Sequence, residues 1–387
     1  MISEPLAILA VLLFAIYLSL KMVKRYVWAE RMSTILWVIF ISAIFSNVGL
    51  IPTDAALYGS IIGFTVPFAV CVILLTVSLK EILKAGRAML SAFVLASIGT
   101  VLGVVIATLT LDSFLADILA GEGWKLAGPY TGTFIGGSLN FFALWEGLQI
   151  GNPDLLAAAN AVDNLSLFPL YALWVAVPTA LAGKWVVSKK WEVKKSDFES
   201  ANEVEHKPTL DPLHVVTLFL LAIAVMAVSH WIKVEIVDQY FPAMPSILIV
   251  TTLALILAQI GPIRRLKGAW EIGDLAFFLF FAAVGALINF YQAIILSPIL
   301  FLYVMIIMVV HFAFLFGTGM LFKMDLGVLT IASVATKGGP AVVLPVAEMK
   351  GWRHLVLSGI IIAMLGYAVG NYIGYAVAQG LRLVLGG

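Results

Sequence analysis

The stretch Ala335-Thr336-Lys337-Gly338-Gly339-Pro340-Ala341 decides the fold, because it has a counterpart in the other half of the chain. The counterpart is Thr131-Gly132-Thr133-Phe134-Ile135-Gly136-Gly137-Ser138-Leu139-Asn140. Both lie inside apolar sequence, where a regular membrane helix would avoid Gly-Gly and Gly-Pro. Glycine frees the backbone and proline removes a donor, so each run should break a helix. Broken backbone at membrane depth is tolerated only where it is buried in protein or lines a cavity. Gly/Pro-interrupted apolar segments at corresponding positions of two halves are the best sequence pointer to a transporter binding site.

The rest of the composition agrees with a membrane setting. Hydrophobic residues make up 62% of the 387 and charged residues 12%, and the mean hydropathy is +1.06. A soluble domain carries about 25% charged residues, so the chain reads as an integral membrane protein. A net charge of +1 gives no case for nucleic-acid binding. The single cysteine, Cys71, excludes an intramolecular disulfide. No basic run precedes the first apolar stretch and no small-residue cleavage site follows it, so Leu6 onward is expected to be a retained span.

A helix needs about 20 apolar residues to cross the hydrocarbon core. The first half offers Leu6 to Val23, Ile35 to Ile51, Leu57 to Val77 and Ala88 to Leu111, then the Gly-Gly segment Gly128 to Leu148, then a span from about Leu165 to Val187. The second half offers His214 to Ile232, Met244 to Ile260, Leu275 to Tyr291 and Pro298 to Phe322, then the Gly-Gly segment Leu326 to Met349, then Leu355 to about Ala378. The expected fold is an all-α polytopic membrane protein with an inverted repeat: five spans plus one re-entrant or broken-helix segment per half, ten full spans and twelve helical elements. Residues 1–187 form the first repeat, 188–211 a polar cytoplasmic linker and 212–387 the second repeat.

Lys and Arg are enriched in cytoplasmic loops. Of the 23 basic residues, only Lys125, Lys233 and Arg382 fall in loops assigned to the outside, and Lys337 stands apart beside the second glycine pair. This distribution predicts a multi-pass protein of the plasma (inner) membrane with both termini extracellular or periplasmic. Each Gly-Gly segment then enters and leaves on the same side, as a re-entrant hairpin or a broken helix with a short returning partner. An odd number of spans per half inverts the second half relative to the first. Trp28, Trp185, Trp191, Trp231 and Trp352 lie near expected interfaces and read as belt anchors.

The runs Gly132 to Phe141, Ala161-Val162-Asp163-Asn164, Gly338-Gly339-Pro340-Ala341 and Gly351-Trp352 through Gly366-Tyr367-Ala368-Val369-Gly370 resemble the YjcL-like family of multi-spanning membrane proteins of unknown function. That family is similar in turn to sodium/glutamate symporters, bile-acid sodium symporters and cation/proton antiporters. The resemblance covers most of the chain and implies an inverted-repeat fold with a mobile core domain and a scaffold domain. One departure is Lys337, where such families usually carry an uncharged residue, and it speaks against a simple transfer of sodium coupling.

Gly136, Gly137, Gly338, Gly339 and Pro340 are the leading candidates for a substrate site. They expose amides and carbonyls where half-helices meet, which suits anions at N-termini and cations at unwound carbonyls; the alternative is close helix packing. Ser138, Asn140, Thr133 and Thr336 could complete a sodium shell or bind a polar solute, or bond back to their own helices. Lys337 costs about 2.5–3.5 kcal/mol in a membrane interior unless a counter-charge such as Glu146 or an anionic solute offsets it, or unless it is a solvated hairpin tip. Asp163-Asn164 resembles the ion-binding pair of cation/proton antiporters, against the reading of a helix N-cap for the span that follows; if that span starts near Pro153 instead, Asp163 lies deeper. Glu348 reads as an interface residue, Asp274 as an N-terminal charge on a helix dipole, and His311 as a mid-span hydrogen-bonding group or a proton relay.

No Walker motif, zinc spacing or nucleophile triad occurs, so no enzymatic activity is expected. The expected function is secondary active transport, of elevator type, of a small anionic or zwitterionic organic solute coupled to sodium or protons. The alternatives are a cation/proton antiporter using Asp163 and a non-transporting membrane sensor or assembly protein. The substrate set is Gly136, Gly137, Ser138, Asn140, Thr336, Lys337, Gly338, Gly339 and Pro340; the ion-coupling set is Asp163, Asn164, Thr133 and Glu146. Na+ is the one inorganic ion considered, with no other cofactor or metal. The expected partners are the solute, membrane lipid and a second copy in a homodimer, with no nucleic acid.

Overall fold

A computed structural model of the chain describes residues 2–26, 29, 34–181, 183, 185–188, 211–242, 244–288 and 290–386. Apart from Ser188 and Asp211, the expected linker lies outside them, as do Trp28, Arg31 and Trp191. Among the described residues every regular element is helical. The main elements are α1 (Pro5–Arg25), α2 (Thr34–Asn47), α3 (Ala56–Leu74), α4 (Gly86–Thr110), α5 (Ala127–Gly136), α6 (Ser138–Gly147), α7 (Pro153–Leu165) and α8 (Leu167–Leu181). They continue with α9 (Pro212–Ile232), α10 (Ser246–Ala258), α11 (Ala269–Leu287), α12 (Phe290–Leu321), α13 (Leu326–Lys350) and α14 (Val356–Leu385).

Eight helices among the described residues are long and apolar enough to cross a membrane. Two of the expected spans are short helices instead: α2 has 14 residues and α10 has 13. At 1.5 Å per residue they reach about 21 and 20 Å, against a hydrocarbon core of about 30 Å. Gly49, at φ 79°, turns the chain just after α2. Pro245 precedes α10, and a Gly-Pro pair follows soon after it.

Three helices start by one device, an oxygen-bearing cap followed by proline. Glu4 accepts from the amide of Ala7, Asn152 from that of Leu155 and Asp211 from that of Leu213. The second of these corrects the expected span from Leu165. Asn152 and Pro153 start α7 twelve residues earlier, and α7 and α8 form one apolar unit, Pro153–Leu181. Asp163 therefore stands in the last turn of α7 and not at the N-cap of the next helix.

Both Gly-Gly runs double back. At Gly137 (φ 71°, ψ −177°) α5 ends and α6 begins. A side chain at Gly132 would meet Leu144 and Asn140, and one at Gly128 would meet Leu148, so the two limbs lie antiparallel. α13 breaks in the same way at Gly339 (φ 65°, ψ −171°). Its limbs are brought together at Gly359, against which both Ile331 and Val343 pack. These backbone conformations are open essentially to glycine alone.

The helices form two sets. α11 packs along α2 and α3, with α1, α9 and α10 completing that set. α12 packs along α4 and α7, and α14 along α5 and α13, completing the other. Two glycine ladders set the closest approach in the second set. Gly128, Gly132 and Gly136 of α5 face Gly374, Gly370 and Gly366 of α14 in antiparallel order. A Cβ on Gly366 would lie 3.1 Å from the Cα of Gly136, and one on Gly370 would lie 3.3 Å from the carbonyl oxygen of Gly132. Small residues at i, i+4 and i+8 allow such backbone contact in a membrane, where dispersion replaces the hydrophobic effect between helices.

Candidate functional site

The two breaks meet. A Cβ on Gly137 would lie 3.5 Å from a ring carbon of Tyr367 and 4.0 Å from the carbonyl oxygen of Lys337. A Cβ on Gly339 would lie 2.8 Å from the hydroxyl of Tyr367. Tyr367 of α14 thus touches both broken helices, held there by the glycine ladder on either side of it.

Lys337 stands two residues before the second break, and its side chain is only 4% exposed. Its ammonium pairs with the Asp163 carboxylate, itself 2% exposed. It also donates to Thr133 Oγ1 at 3.2 Å, and Thr133 donates to the second oxygen of Asp163 at 3.3 Å. The Phe134 ring lies 4.7 Å from the Lys337 nitrogen. An ammonium has three N–H groups, and a carboxylate, a hydroxyl and a π face are set around this one. The reading of Lys337 as a solvated tip is corrected by this burial, and its counter-charge is Asp163, not Glu146. Glu146 lies near the end of α6, away from the break, and lines a separate cavity of about 540 Å³ with Lys125, His230, Lys233 and Arg382.

A cavity of about 200 Å³ opens on the pair. One wall carries Gly137, Ser138, Asp163, Asn164, Lys337, Gly338, Gly339 and Tyr367 from the second helix set. The other carries Ile35, Ile73, Trp270, Asp274, Phe277 and Phe281 from the first. The cavity therefore sits at the junction of the two sets. A volume of this size suits a small solute.

Of the other expected site residues, Thr336, Asn140, Gly136 and Pro340 lie outside the cavity lining. Thr336 is fully buried and donates to the carbonyl of Ser333 at 2.8 Å. Asn164 borders the cavity while its amide bonds Asn160 of the preceding turn. Asn140 is buried and donates to the carbonyl of Gly366 at 3.1 Å, bracing α6 to α14, and its side-chain oxygen has no hydrogen-bond donor against it among the described residues. Gly136 is the contact point with Gly366, and Pro340 opens the second limb of α13. Of the oxygens expected to serve Na+, that of Thr336 is committed to backbone, while Thr133 and Asp163 hold the Lys337 ammonium. No group of three or more His, Cys, Asp or Glu side chains suited to a metal occurs among the described residues.

Tyr367, Trp270 and Asp274 belong to the cavity and were given no such role by sequence reasoning. Tyr367 is flanked by Gly366 and Gly370, and the glycine ladder was the available signal. Asp274 follows Glu271 by one turn of α11, and its placement opposite Lys337 depends on how the two helix sets dock.

The chain belongs to the family described as "Protein of unknown function (DUF819)", whose model matches residues 7–384. It is similar to the "Uncharacterized membrane protein YjcL" of Bacillus subtilis (strain 168), at 27% identity over 378 residues, covering 92% of this chain and 91% of that protein. The resemblance read from the glycine and Asp-Asn runs is thereby shown, and the chain is a multi-span membrane protein.

Proposed function

We propose that the chain is a secondary active transporter of the elevator type, built as an inverted repeat, that moves a small zwitterionic organic solute across the plasma membrane. The observation that carries this reading is the buried Lys337–Asp163 pair, held where two broken helices meet and facing a cavity between two helix sets. A buried pair is costly to desolvate and contributes little net stability, so its retention favours a functional role. A zwitterion can replace it group for group, carboxylate to Lys337 and ammonium to Asp163. The expectation of an anionic solute loses support, because Asp163 neutralises Lys337 and Asp274 adds a second carboxylate. The inverted repeat is supported by the recurrence of a long helix, a short helix, two long helices, a hairpin and a last long unit in each half. Movement of one helix set against the other is supported by the contrast between close packing within each set and the cavity between them. The reading involves no covalent chemistry. The test is a thermal-shift screen of full-length protein against amino acids and organic acids, with and without sodium. Stabilisation by a zwitterion, abolished in Lys337→Ala and Asp163→Asn, supports the proposal; stabilisation by dianions alone overturns the zwitterion.

A second reading is cation/proton exchange at Asp163. The ion pair favours it, since an entering cation at Asp163 would displace the Lys337 ammonium and favour release of its proton. Proteoliposomes with an internal pH dye distinguish the two: cation-driven proton flux without any organic solute supports exchange.

A further inference from the structure

A second buried polar chain crosses the same helix set, centred on His311 of α12. Trp174 Nε1–H of α8 donates to Ser333 Oγ of α13 at 3.0 Å. Ser333 Oγ lies 2.9 Å from His311 Nε2, and His311 Nδ1 lies 3.0 Å from Thr100 Oγ1 of α4. Thr100 Oγ1 in turn lies 3.2 Å from the Phe134 carbonyl of α5, to which it donates. Every side chain in the chain is buried, His311 at 3% exposure. The contact with Thr100 is made possible by Gly99 and Gly103, which let the α12 backbone approach α4: a Cβ on Gly99 would lie 3.2 Å from the His311 carbonyl oxygen.

The protons in this chain can be counted. A threonine hydroxyl has one hydrogen, and Thr100 gives it to Phe134. That carbonyl needs it, because the break at Gly137 removes the amide that a continuing helix would supply. Thr100 therefore accepts from His311, so Nδ1 carries hydrogen. Nε2 is then bare and accepts from Ser333, whose oxygen accepts from the Trp174 indole. The Ala96 carbonyl of α4 is a second acceptor for the ring N–H on the Thr100 side, and no carboxylate stands among the partners to hold an imidazolium. The ends are an indole N–H and an amide carbonyl, neither of which delivers or takes up a proton.

We propose that His311 is a positioning residue fixed as the neutral Nδ1–H tautomer, which cross-ties both broken helices to the α4–α12 pair and does not relay protons. Its two arms end next to the site: Phe134 places its ring against the Lys337 ammonium, and Ser333 lies one turn before Lys337 on α13. The assignment holds whatever solute the cavity takes, and a failed solute screen leaves its test readable.

The test is nitrogen NMR of full-length protein in micelles, with histidine rings labelled with ¹⁵N and the His311 signals identified by their loss in His311→Gln. At neutral pH the expected pattern is a protonated Nδ1 and a bare Nε2; an Nε2–H tautomer or an imidazolium overturns the proposal. Thr100→Val removes one acceptor and leaves the Ala96 carbonyl, so Nδ1–H is expected to persist with a shifted Nδ1 resonance; an unshifted resonance overturns the role of Thr100. Gln presents a donor and an acceptor at similar spacing, so His311→Gln is expected to keep the unfolding midpoint close to that of the native chain while His311→Leu lowers it. Equal losses in the two variants overturn the donor–acceptor role.

Discussion

The ammonium of Lys337 and the carboxylate of Asp163 pair in the bundle interior across a sequence separation of 174 residues. Each comes from helix that a glycine break or an early cap delivers to that point, and neither has another charge of opposite sign bonded to it among the described contacts. Removing one partner strands the other. Lys337→Ala and Asp163→Ala are each expected to destabilise the protein by about 3–5 kcal/mol, and the double variant by less than their sum. Thermal unfolding of the four proteins in one detergent measures this. Additive losses would mean that the two charges do not depend on each other.

The glycine pairs differ in what surrounds them. At Gly137 and Gly339 a side chain meets a backbone conformation worth about 1–3 kcal/mol of strain. At Gly339 a Cβ also stands 2.8 Å from the Tyr367 hydroxyl, whereas at Gly137 the nearest atom is 3.5 Å away. Gly339→Ala is therefore expected to lower the unfolding midpoint more than Gly137→Ala. Tyr367→Phe in the Gly339→Ala background should recover part of the difference. Equal effects of the two single variants would argue against the contact.

What could be read from the chain and what could not divide along local and non-local physics. The breaks at Gly137 and Gly339 were legible because a glycine pair in apolar sequence imposes a backbone conformation by itself. The partner of Lys337 was not, because it depended on where α7 begins. Asn152-Pro153 is a start signal, but the alanine-rich turn that follows it is only weakly apolar, so a hydropathy reading placed the span at Leu165. Glu146 seemed the nearer acid along the first hairpin, yet antiparallel limbs carry it away from the break. Tyr367 and Asp274 enter the cavity through the docking of whole helices, which no local pattern encodes.

Gly99 and Gly103 pack α4 against α12, and their surroundings rank them. A Cβ on Gly103 would lie 2.8 Å from the carbonyl oxygen of Ile307 and 2.9 Å from its Cα. On Gly99 the closest approach would be 3.2 Å, and on Gly63 nothing lies within 4 Å. Backbone cannot yield as a flexible side chain does, and overpacking costs about 1–3 kcal/mol. The expected order of destabilisation is Gly103→Ala, then Gly99→Ala, with Gly63→Ala close to neutral. Thermal unfolding in a common detergent checks the order, and a Gly103→Ala variant as stable as Gly63→Ala would contradict the close approach of α4 and α12.

The charge distribution also predicts orientation. Among loop residues the basic ones concentrate on one side, which puts the 188–211 linker inside and both termini outside. In a Cys71→Ala background, a cysteine at Ser196 is expected to resist a membrane-impermeant maleimide in intact cells. A cysteine at Glu122, beside Lys125 and ahead of the first hairpin, is expected to react. The reverse pattern would invert the topology and with it the side on which the hairpins open.

Asp274 decides between solute classes. It is exposed and lines the cavity wall opposite Lys337, so the cavity holds one ammonium and two carboxylates. A ligand that is a net anion meets a repulsive charge there, while the ammonium of a zwitterion is attracted to it. For a partly exposed charge the interaction is about 0.5–1 kcal/mol, a change of roughly two- to fivefold in Kd. Asp274→Asn is therefore expected to weaken binding of a zwitterionic solute by that factor. The difference should shrink as salt is raised, because a wet cavity is screened. Titration calorimetry on the native chain and the variant, at low and high salt, reads both effects. Tighter binding in Asp274→Asn would identify a net anion as the solute, and an identical Kd at both salt concentrations would place the ligand away from this cavity.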